Sequence, residues 1–288
     1  MNKSTNKLPL QGVGGPGRIL ALDILRGITI AGMIMVNNPG SWSNVYAPLG
    51  HAQWNGLTPT DLVFPFFMFI MGISMFIALR KFNFEPSSSA IRKIVKRTVL
   101  LYLVGLAIAW FSLFCRTWNG LSGEEITFWQ RLGQSANNFS NIRILGVIPR
   151  LAICYGIASL IVITLKHKFI PYLIAVLLIG YFILLMVGNG FAYDTTNILS
   201  IVDHRILGEA HMYKDNGIEP EGILSTIPAI AHVLLGFYIG KIMMETKDIH
   251  EKIERLFIFG AILTFCGFLL SYGCPINKKI WSPTFVLT

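Results

Sequence analysis

The segment His51–Pro65, HAQWNGLTPTDLVFP, combines residue types that can carry out proton transfer. A histidine takes up and releases a proton near neutral pH, and a neighbouring carboxylate can fix its tautomer and stabilise its cation. Here His51 supplies the imidazole and Asp61 supplies the carboxylate. Because a titratable pair beside a long apolar run is costly without a purpose, this segment is the first candidate for a functional site.

A structural interpretation of Asp61 is also open. Thr58 as a helix cap and Pro59 at the first helical position are typical of a helix start, and Asp61 then falls in the first turn, where the helix dipole stabilises a carboxylate. Asn37 closes the preceding apolar run, and its amide can donate a hydrogen bond to a developing oxyanion. The alternative role for Asn37 is a cap of the helix end.

Further polar residues fall near the ends of other apolar runs. Arg150 lies one turn inside its run, where an arginine needs an anion or carbonyl groups around it, and Asp61 or the segment Glu219–Gly222 is the candidate partner. Asn277 lies in PINKKIW, where it lines the site or anchors a turn. The residues that we predict to bind substrate are Trp54, Asn55, Arg150, Glu221 and Asn277.

The composition predicts an integral membrane protein. Of the 288 residues 53% are hydrophobic and only 14% are charged, and the mean hydropathy is +0.58. A soluble domain is about 25% charged, and an apolar run of about 18 residues or more is typical of a transmembrane helix. We therefore predict an all-α polytopic bundle with seven spans, at about 19–38, 61–80, 97–115, 146–166, 168–188, 223–242 and 256–273. The apolar SPTFVLT at the end predicts that further spans follow.

The formal charge of +9 is distributed in a way that predicts the topology. Lysine and arginine collect in the loops after the second, fourth and sixth spans, so the positive-inside rule places the amino terminus in the cytoplasm and His51 outside. Residues 1–17 form a flexible cytoplasmic tail by this interpretation, and 18–288 form the membrane domain. Nucleic acid is not an expected partner, because no soluble basic domain is present to bind it.

Several common chemistries lack their sequence motifs. There is no Walker A loop, GxSxG elbow, HExxH or CxxC pair, and the four cysteines have no metal-ligand spacing. We therefore predict no metal.

Asp23 and Arg26 lie on one helical face. Either they form an ion pair there, or Arg26 binds an anionic ligand.

Several segments together resemble the transmembrane heparan-α-glucosaminide N-acetyltransferases and their bacterial relatives. The resemblance extends from about Arg18 to the last residue, and the motif that contains His51 is its longest and most specific part. The matching segments are LALDILRG (Leu20–Gly27), HAQWNGLTPTDLVFPFFMFIMG (His51–Gly72), GVIPRLAICY (Gly146–Tyr155), EPEGILSTIPAIAHVLLGFYIGK (Glu219–Lys241) and PINKKIW (Pro275–Trp281).

The resemblance implies acetyl transfer from cytoplasmic acetyl-CoA to an amino sugar or glycan across the membrane. The active-site histidine of the family matches His51, its aspartate matches Asp61, and its asparagine matches Asn37, although the loop between Asn37 and His51 differs in length. From the resemblance we expect the chain to lack the luminal amino-terminal domain of the animal enzyme and to stop before the last spans of the family. The short amino terminus leads us to expect a bacterial inner-membrane protein.

Acetyl-CoA must then reach His51 through the bundle. We expect basic residues at the cytoplasmic end to hold its phosphates, with Arg26, Arg18 and Lys81 as candidates, while His51 acts as a base or carries the acetyl group. Two other functions stay open at this point: a transporter of a small solute, because carriers also place polar groups and glycines in their spans, and an O-acetyltransferase of an envelope glycan. Membrane lipid is an expected partner, and a homodimer is left open.

Overall fold

The computed structural model describes residues 19–213 and 215–288. Within them the chain is helical and contains no β-strand, and seven helices are long and apolar enough to cross a membrane. Both the all-α class and the seven predicted spans are confirmed. The helices in chain order are α1 (Leu20–Asn37), α2 (Val63–Arg80), α3 (Ser88–Gly120), α4 (Phe128–Ala136), α5 (Val147–Thr164), α6 (Ile170–Val187), α7 (Ile198–Ile206), α8 (Thr226–Glu245), α9 (Ile249–Leu270) and α10 (Pro283–Leu287).

Helix α3 begins well before its predicted span, which we placed at 97–115. Its first turn is capped by Ser87, whose hydroxyl accepts a hydrogen bond from the backbone N–H of Ala90 at 3.2 Å. The turns that follow contain Arg92 and Lys93. Hydropathy marks the apolar part of a helix and misses a basic amphipathic extension, so the predicted start was too late.

The centre of the bundle is the contact between α2 and α8, which depends on small residues. A Cβ placed on Gly72 would lie 2.2 Å from the backbone oxygen of Val233, and one on Gly236 would lie 2.3 Å from the backbone oxygen of Phe69. The two backbones therefore touch where each helix presents a glycine. Small residues permit this close approach between membrane helices, where van der Waals packing replaces the hydrophobic drive.

The outer helices carry the apolar surface. In α1, α3 and α9 only a small share of the residues is buried, and large hydrophobic side chains such as Ile28, Leu103 and Phe265 are more than half exposed. Exposed apolar patches of this extent mark a membrane surface in an integral membrane protein. Helices α2, α5 and α8 are the most buried of the seven, so the polar site described below is attached to the most rigid part of the fold.

The long helices alternate in direction, so the bundle has two ends. At one end, which we call the His51 end, lie the α1–α2 loop with His51, the segments 121–146 and 188–225, and the turn 271–282 that follows α9. Helices α4 and α7 lie within these segments. The opposite end holds the short connections from α2 to α3, α5 to α6 and α8 to α9. Irregular structure is therefore concentrated at the His51 end, where loops are available for chemistry.

Candidate active site

His51 and Asp61 form a hydrogen-bonded pair at the His51 end of the bundle. The Nδ1 atom of His51 lies 2.7 Å from the Oδ1 atom of Asp61. The side chain of Asp61 is 1% exposed, whereas that of His51 is 49% exposed. When Nδ1 carries the proton and donates it to the carboxylate, Nε2 keeps its lone pair. The arrangement is that of a base or nucleophile whose tautomer is set by a buried acid.

The two oxygens of Asp61 make different contacts. Asp61 can therefore cap the start of the helix and hold His51 at the same time. Oδ2 accepts hydrogen bonds from the backbone N–H of Ala52 at 3.1 Å and of Thr58 at 3.1 Å, and from the Thr58 hydroxyl at 2.9 Å. These bonds close a capping box at the entry to α2. Oδ1 is thereby left for His51, and the loop that caps the helix also fixes the position of the imidazole.

Lys278 is the third charged group of this cluster. Its Nζ lies 3.0 Å from His51 Nδ1 and 3.5 Å from Asp61 Oδ1. Since Nδ1 cannot donate to Asp61 and accept from an ammonium at once, the shorter bond to Asp61 defines the tautomer, and Lys278 pairs with the carboxylate. Burial lowers the pKa of Lys278 below its usual value, although the attraction of Asp61 acts in the opposite direction.

The pair faces a cavity of about 560 Å³, large enough for a sugar. Asn37 lines the same cavity, and its side chain makes no hydrogen bond with a described residue. The neighbouring Asn38 instead donates to the backbone oxygen of Ile34 at 2.8 Å, so Asn38 performs the helix-end role. The amide of Asn37 is consequently available to a ligand beside His51. The cavity walls also include Phe67, Arg143, Tyr213, Glu221 and Lys279.

A second ionic cluster forms the wall of this cavity. Arg143 donates through Nε to Glu219 at 3.1 Å, and its Nη2 contacts both Glu219 and Glu221. Glu219 also accepts a bond of 2.7 Å from the backbone N–H of Tyr213. Burial alone would lower the pKa of Arg143, but the two carboxylates raise it above the ordinary value. Burial raises the pKa of Glu219. Glu221, predicted to bind substrate, thus reaches the cavity already paired.

Arg150 does not reach the cavity, although we predicted that it binds substrate. It is fully buried, and its Nη2 donates to the backbone oxygen of Gly222 at 3.1 Å and contacts the Ser225 hydroxyl. The guanidinium also lies over the ring of Trp281, 5.2 Å from its centroid. Of the two partners considered for Arg150, the segment Glu219–Gly222 is the one it contacts through hydrogen bonds. This arrangement ties α5 to the start of α8.

Trp54, Asn55 and Asn277 connect loops to one another. The indole N–H of Trp54 donates to the backbone oxygen of Phe191 at 2.9 Å, and its ring stacks on Tyr193. The amide of Asn277 donates to Asn55 Oδ1 at 3.1 Å. These contacts hold the turn after α9 and the segment after α6 against the His51 loop. The three residues do not line the cavity, and they support the loops that do.

Two of the residues predicted to hold the cofactor, Arg26 and Lys81, lie toward the opposite end of the bundle. Arg26 on α1 forms an ion pair of 3.2 Å with Asp23 and donates to the Ser74 hydroxyl on α2 at 3.1 Å. Lys81 follows α2 directly and is exposed, with its ammonium 5.2 Å from the Phe82 ring. Arg18 lies outside the described residues. The predicted ion pair is therefore present, and the role of these cations in binding an anion stays a prediction.

From the sequence we considered that Lys278, like Asn277, lines the site or anchors a turn, but we did not predict its contact with the His51–Asp61 pair or the contribution of Arg143 to the wall. The signal for Lys278 was present: two adjacent lysines in PINKKIW stand on the face of the chain that has few cations. Arg143 had no comparable signal. Its partner Glu219 lies 76 residues away in the sequence, and no local pattern reveals a pairing over that separation. Among the described residues no group of three or more His, Cys, Asp or Glu side chains could hold a metal ion.

Comparison with known proteins shows the family of this chain. A family model described as heparan-alpha-glucosaminide N-acetyltransferase, catalytic, matches residues 18–272. The human heparan-alpha-glucosaminide N-acetyltransferase is 28% identical over 95% of this chain, and the mouse protein of the same name is 26% identical over 94%. The chain spans about half the length of these relatives, 47% in each case. The matched region contains every helix from α1 to α9, so this integral membrane protein belongs to the heparan-alpha-glucosaminide N-acetyltransferase catalytic family.

Proposed function

We propose that this protein transfers an acetyl group from acetyl-CoA to the amine of a sugar, and that the two substrates reach His51 from opposite sides of the membrane. The observation that carries the proposal is the 2.7 Å contact between His51 and the buried Asp61 at the edge of a sugar-sized cavity. Family membership supplies the reaction class. Because the chain spans about half of the length of its relatives, the acetyl donor and the acceptor are part of this proposal and do not follow from family membership.

The distribution of charge supports the two-sided arrangement. Basic residues are concentrated at the end opposite His51, including Arg80, Lys81 and Lys96, and the positive-inside rule makes that end cytoplasmic. His51 then lies on the extracytoplasmic side. The hydrocarbon layer is about 30 Å thick, and the nucleotide of CoA is too charged to enter it. The uncharged pantetheine arm would have to thread the bundle, with phosphates held by Arg26, Arg18 and Lys81.

His51 can act in either of two balanced sequences. As a general base, Nε2 takes a proton from the amine while the amine nitrogen bonds to the thioester carbon, the C–S bond breaks and the thiolate is protonated by the imidazolium. As a nucleophile, Nε2 first bonds to the carbonyl carbon and expels the thiolate. The amine nitrogen then bonds to that carbon, the bond from carbon to Nε2 breaks, and the proton that the amine loses passes to the thiolate. In both, Asp61 stabilises the imidazolium, and Asn37 is placed to donate to the oxyanion.

The test uses the purified full-length protein reconstituted in liposomes. Carbon-13-labelled acetyl-CoA is placed on one face and glucosamine on the other, and acetylated sugar is measured by mass spectrometry. We expect product when the amine is on the face that His51 occupies and acetyl-CoA is on the opposite face. His51→Ala should lower the rate by about 10²- to 10⁴-fold, the usual contribution of acid–base catalysis. The control is His250→Ala, which removes an exposed imidazole at the opposite end.

The outcomes separate the rival functions. Acetylation by His51→Ala at the wild-type rate would overturn the assignment of the site. Sugar crossing the bilayer without acetylation would favour a transporter. Product that carries the acetyl group on a hydroxyl rather than on nitrogen, as determined by fragmentation, would replace the amine acceptor with an alcohol and leave the role of His51 intact.

A further inference from the structure

A larger cavity lies beside the one that His51 faces, and the two share a wall. It has a volume of about 1140 Å³ and extends between α3 and the start of α5. Arg143, Val147 and Tyr213 line both cavities. The Arg143 guanidinium lies over the Tyr213 ring, 4.9 Å from its centroid, so this pair forms the partition. A molecule seated in the larger cavity would be adjacent to the sugar-sized space next to His51.

The floor of this cleft is formed by α3, one of the helices that are long and apolar enough to cross a membrane, and by the start of α5. Helices α3 and α5 meet where a Cβ on Gly105 would lie 2.5 Å from the Pro149 ring, and the helices diverge toward the His51 end. Gly105 is 15 residues before Gly120, the last residue of α3, which is about 22 Å at the rise of an α-helix. The lower part is lined by Ile108, Leu113 and Val147, and of these Ile108 and Val147 are strongly exposed.

The mouth of the cleft is polar. Arg116, Thr117, Asn138 and Asn141 line it, and Glu209 joins them from the segment after α7. Arg116 is exposed and makes no hydrogen bond or ion pair with any residue that the structure describes. The planar guanidinium of an arginine suits a phosphate group, which it can contact through two N–H donors. The cleft therefore combines an apolar floor on a candidate membrane-spanning helix with a mouth that contains a guanidinium unpaired within the described part of the chain, next to the His51 cavity.

We propose that this cleft binds the lipid-phosphate portion of the acceptor, and that the acceptor is an amino sugar carried on a membrane lipid through a phosphate. The proposal rests on the acetyl transfer proposed above and specifies its acceptor. The lipid chain lies along α3 from Ile108 to Leu113, and the phosphate meets Arg116. The sugar passes the Arg143–Tyr213 partition and presents its amine to His51.

The lining favours an amphiphile over a soluble glycan. A water-soluble oligosaccharide would gain nothing from the apolar floor, whereas a hydrocarbon chain there packs against α3 through van der Waals contacts. A bulk phospholipid would fill the same floor and mouth but has no sugar to pass the partition. The two alternatives give different results in the experiment that follows.

The experiment compares two acceptors in nanodiscs that contain the full-length protein. One is glucosamine linked through a phosphate to a long-chain lipid alcohol, and the other is soluble methyl glucosaminide, both with labelled acetyl-CoA. We expect the KM for the lipid-linked acceptor to be at least tenfold lower. Ser112→Trp, which fills the cleft from an exposed position, should raise that KM at least tenfold and leave kcat/KM for the soluble sugar unchanged. Arg116→Gln should raise the KM for the phosphate-linked lipid but not for a neutral lipid glycoside.

Leu103→Trp is the matched control. Leu103 is on the same helix nine residues before Ser112, which places it about half a turn away around the axis on the exposed surface. It should alter neither acceptor. Equal KM values for both acceptors, or Ser112→Trp without effect on the lipid-linked one, would contradict the cleft assignment while acetylation of the soluble sugar still supports the proposed function. Failure to acetylate either acceptor would count against both. Binding of bulk phospholipid with no preference between acceptors would make the cleft a lipid site only.

Discussion

Two ionic clusters at the His51 end contribute side chains to the same cavity, and they differ in which hydrogen-bonding groups they leave available. The His51 cluster, formed by His51, Asp61 and Lys278, buries its carboxylate but leaves the imidazole half exposed. The Arg143 cluster, formed by Arg143, Glu219 and Glu221, buries both carboxylates, and its arginine bonds to both of them. The first cluster leaves His51 Nε2 at 3.5 Å from Lys278 Nζ, a long and weak contact, whereas in the second cluster one arginine is bonded to both carboxylates.

This difference in available hydrogen-bonding groups distinguishes a cluster that can react from one that stabilises the fold, whereas the presence of charged residues does not. Both clusters contain opposite charges close to the cavity, and a survey of titratable groups alone would have ranked them together. The groups available to a substrate are those whose hydrogen-bonding capacity is least used: His51 Nε2, which has a 3.5 Å contact with Lys278 Nζ, and the Asn37 amide. Perturbing each cluster and measuring both activity and stability therefore tests whether the two roles are distinct.

Asp61→Asn should have the largest effect. The amide cannot stabilise an imidazolium as a carboxylate does, and it favours the wrong tautomer of His51, so we expect a loss of about 10³- to 10⁴-fold in kcat. Because Oδ2 also caps α2, a smaller loss of thermal stability should accompany it. The measurement is kcat for acetyl transfer together with thermal unfolding in detergent. The control is Asp194→Asn, an exposed carboxylate in the segment after α6. A similar kcat for wild type and Asp61→Asn would remove the carboxylate from the mechanism.

Arg143→Met should act mainly on stability. It leaves Glu219 and Glu221 buried without their cation, which destabilises a protein by about 3–5 kcal/mol. The quantity to measure is the free energy of unfolding in mixed micelles, with Arg205→Met as a control at an exposed arginine. Adding Glu219→Gln and Glu221→Gln should restore most of the loss, because the uncompensated charges are then gone. If the triple variant is no more stable than Arg143→Met, the cluster is not held together by charge pairing.

Asn37→Ala tests whether the free amide in the cavity is used. Removal of an oxyanion donor lowers kcat by about 10²- to 10³-fold, with little change in folding. The neighbour provides a matched control: Asn38→Ala removes the hydrogen bond to Ile34 at the helix end. We expect Asn38→Ala to lower thermal stability slightly and to leave kcat near the wild-type value. If Asn37→Ala lowers thermal stability and leaves kcat unchanged, Asn37 caps the helix end and does not act on the substrate.

The sequence predicted the helices and the central pair, but not the second cluster. Apolar runs of span length are a local signal, and so is the cap at Thr58 that fixes Asp61 near His51, which is why both were found. Arg143 and Glu219 meet across 76 positions of chain, and that pairing follows from helix packing, which no local pattern encodes. Trp54 and Asn277 show a different limit. Their residue types led us to predict that they bind substrate, the structure shows them linking loops beside the site, and their binding of substrate stays a prediction.

Lys278→Met should have the smallest effect and is most informative through pH. Loss of one charge-assisted contact with Asp61 should lower kcat about tenfold near neutral pH. Because burial places the folded pKa below the ordinary 10.5, the native ammonium loses its proton first as the pH rises. The wild-type advantage should therefore shrink in the window below 10.5. In the same window the unfolded chain binds more protons than the native protein, so wild-type stability should rise with pH relative to Lys278→Met. The prediction is contradicted if kcat and the free energy of unfolding depend on pH in the same way for wild type and Lys278→Met. Lys278 would then not lose its proton in this window.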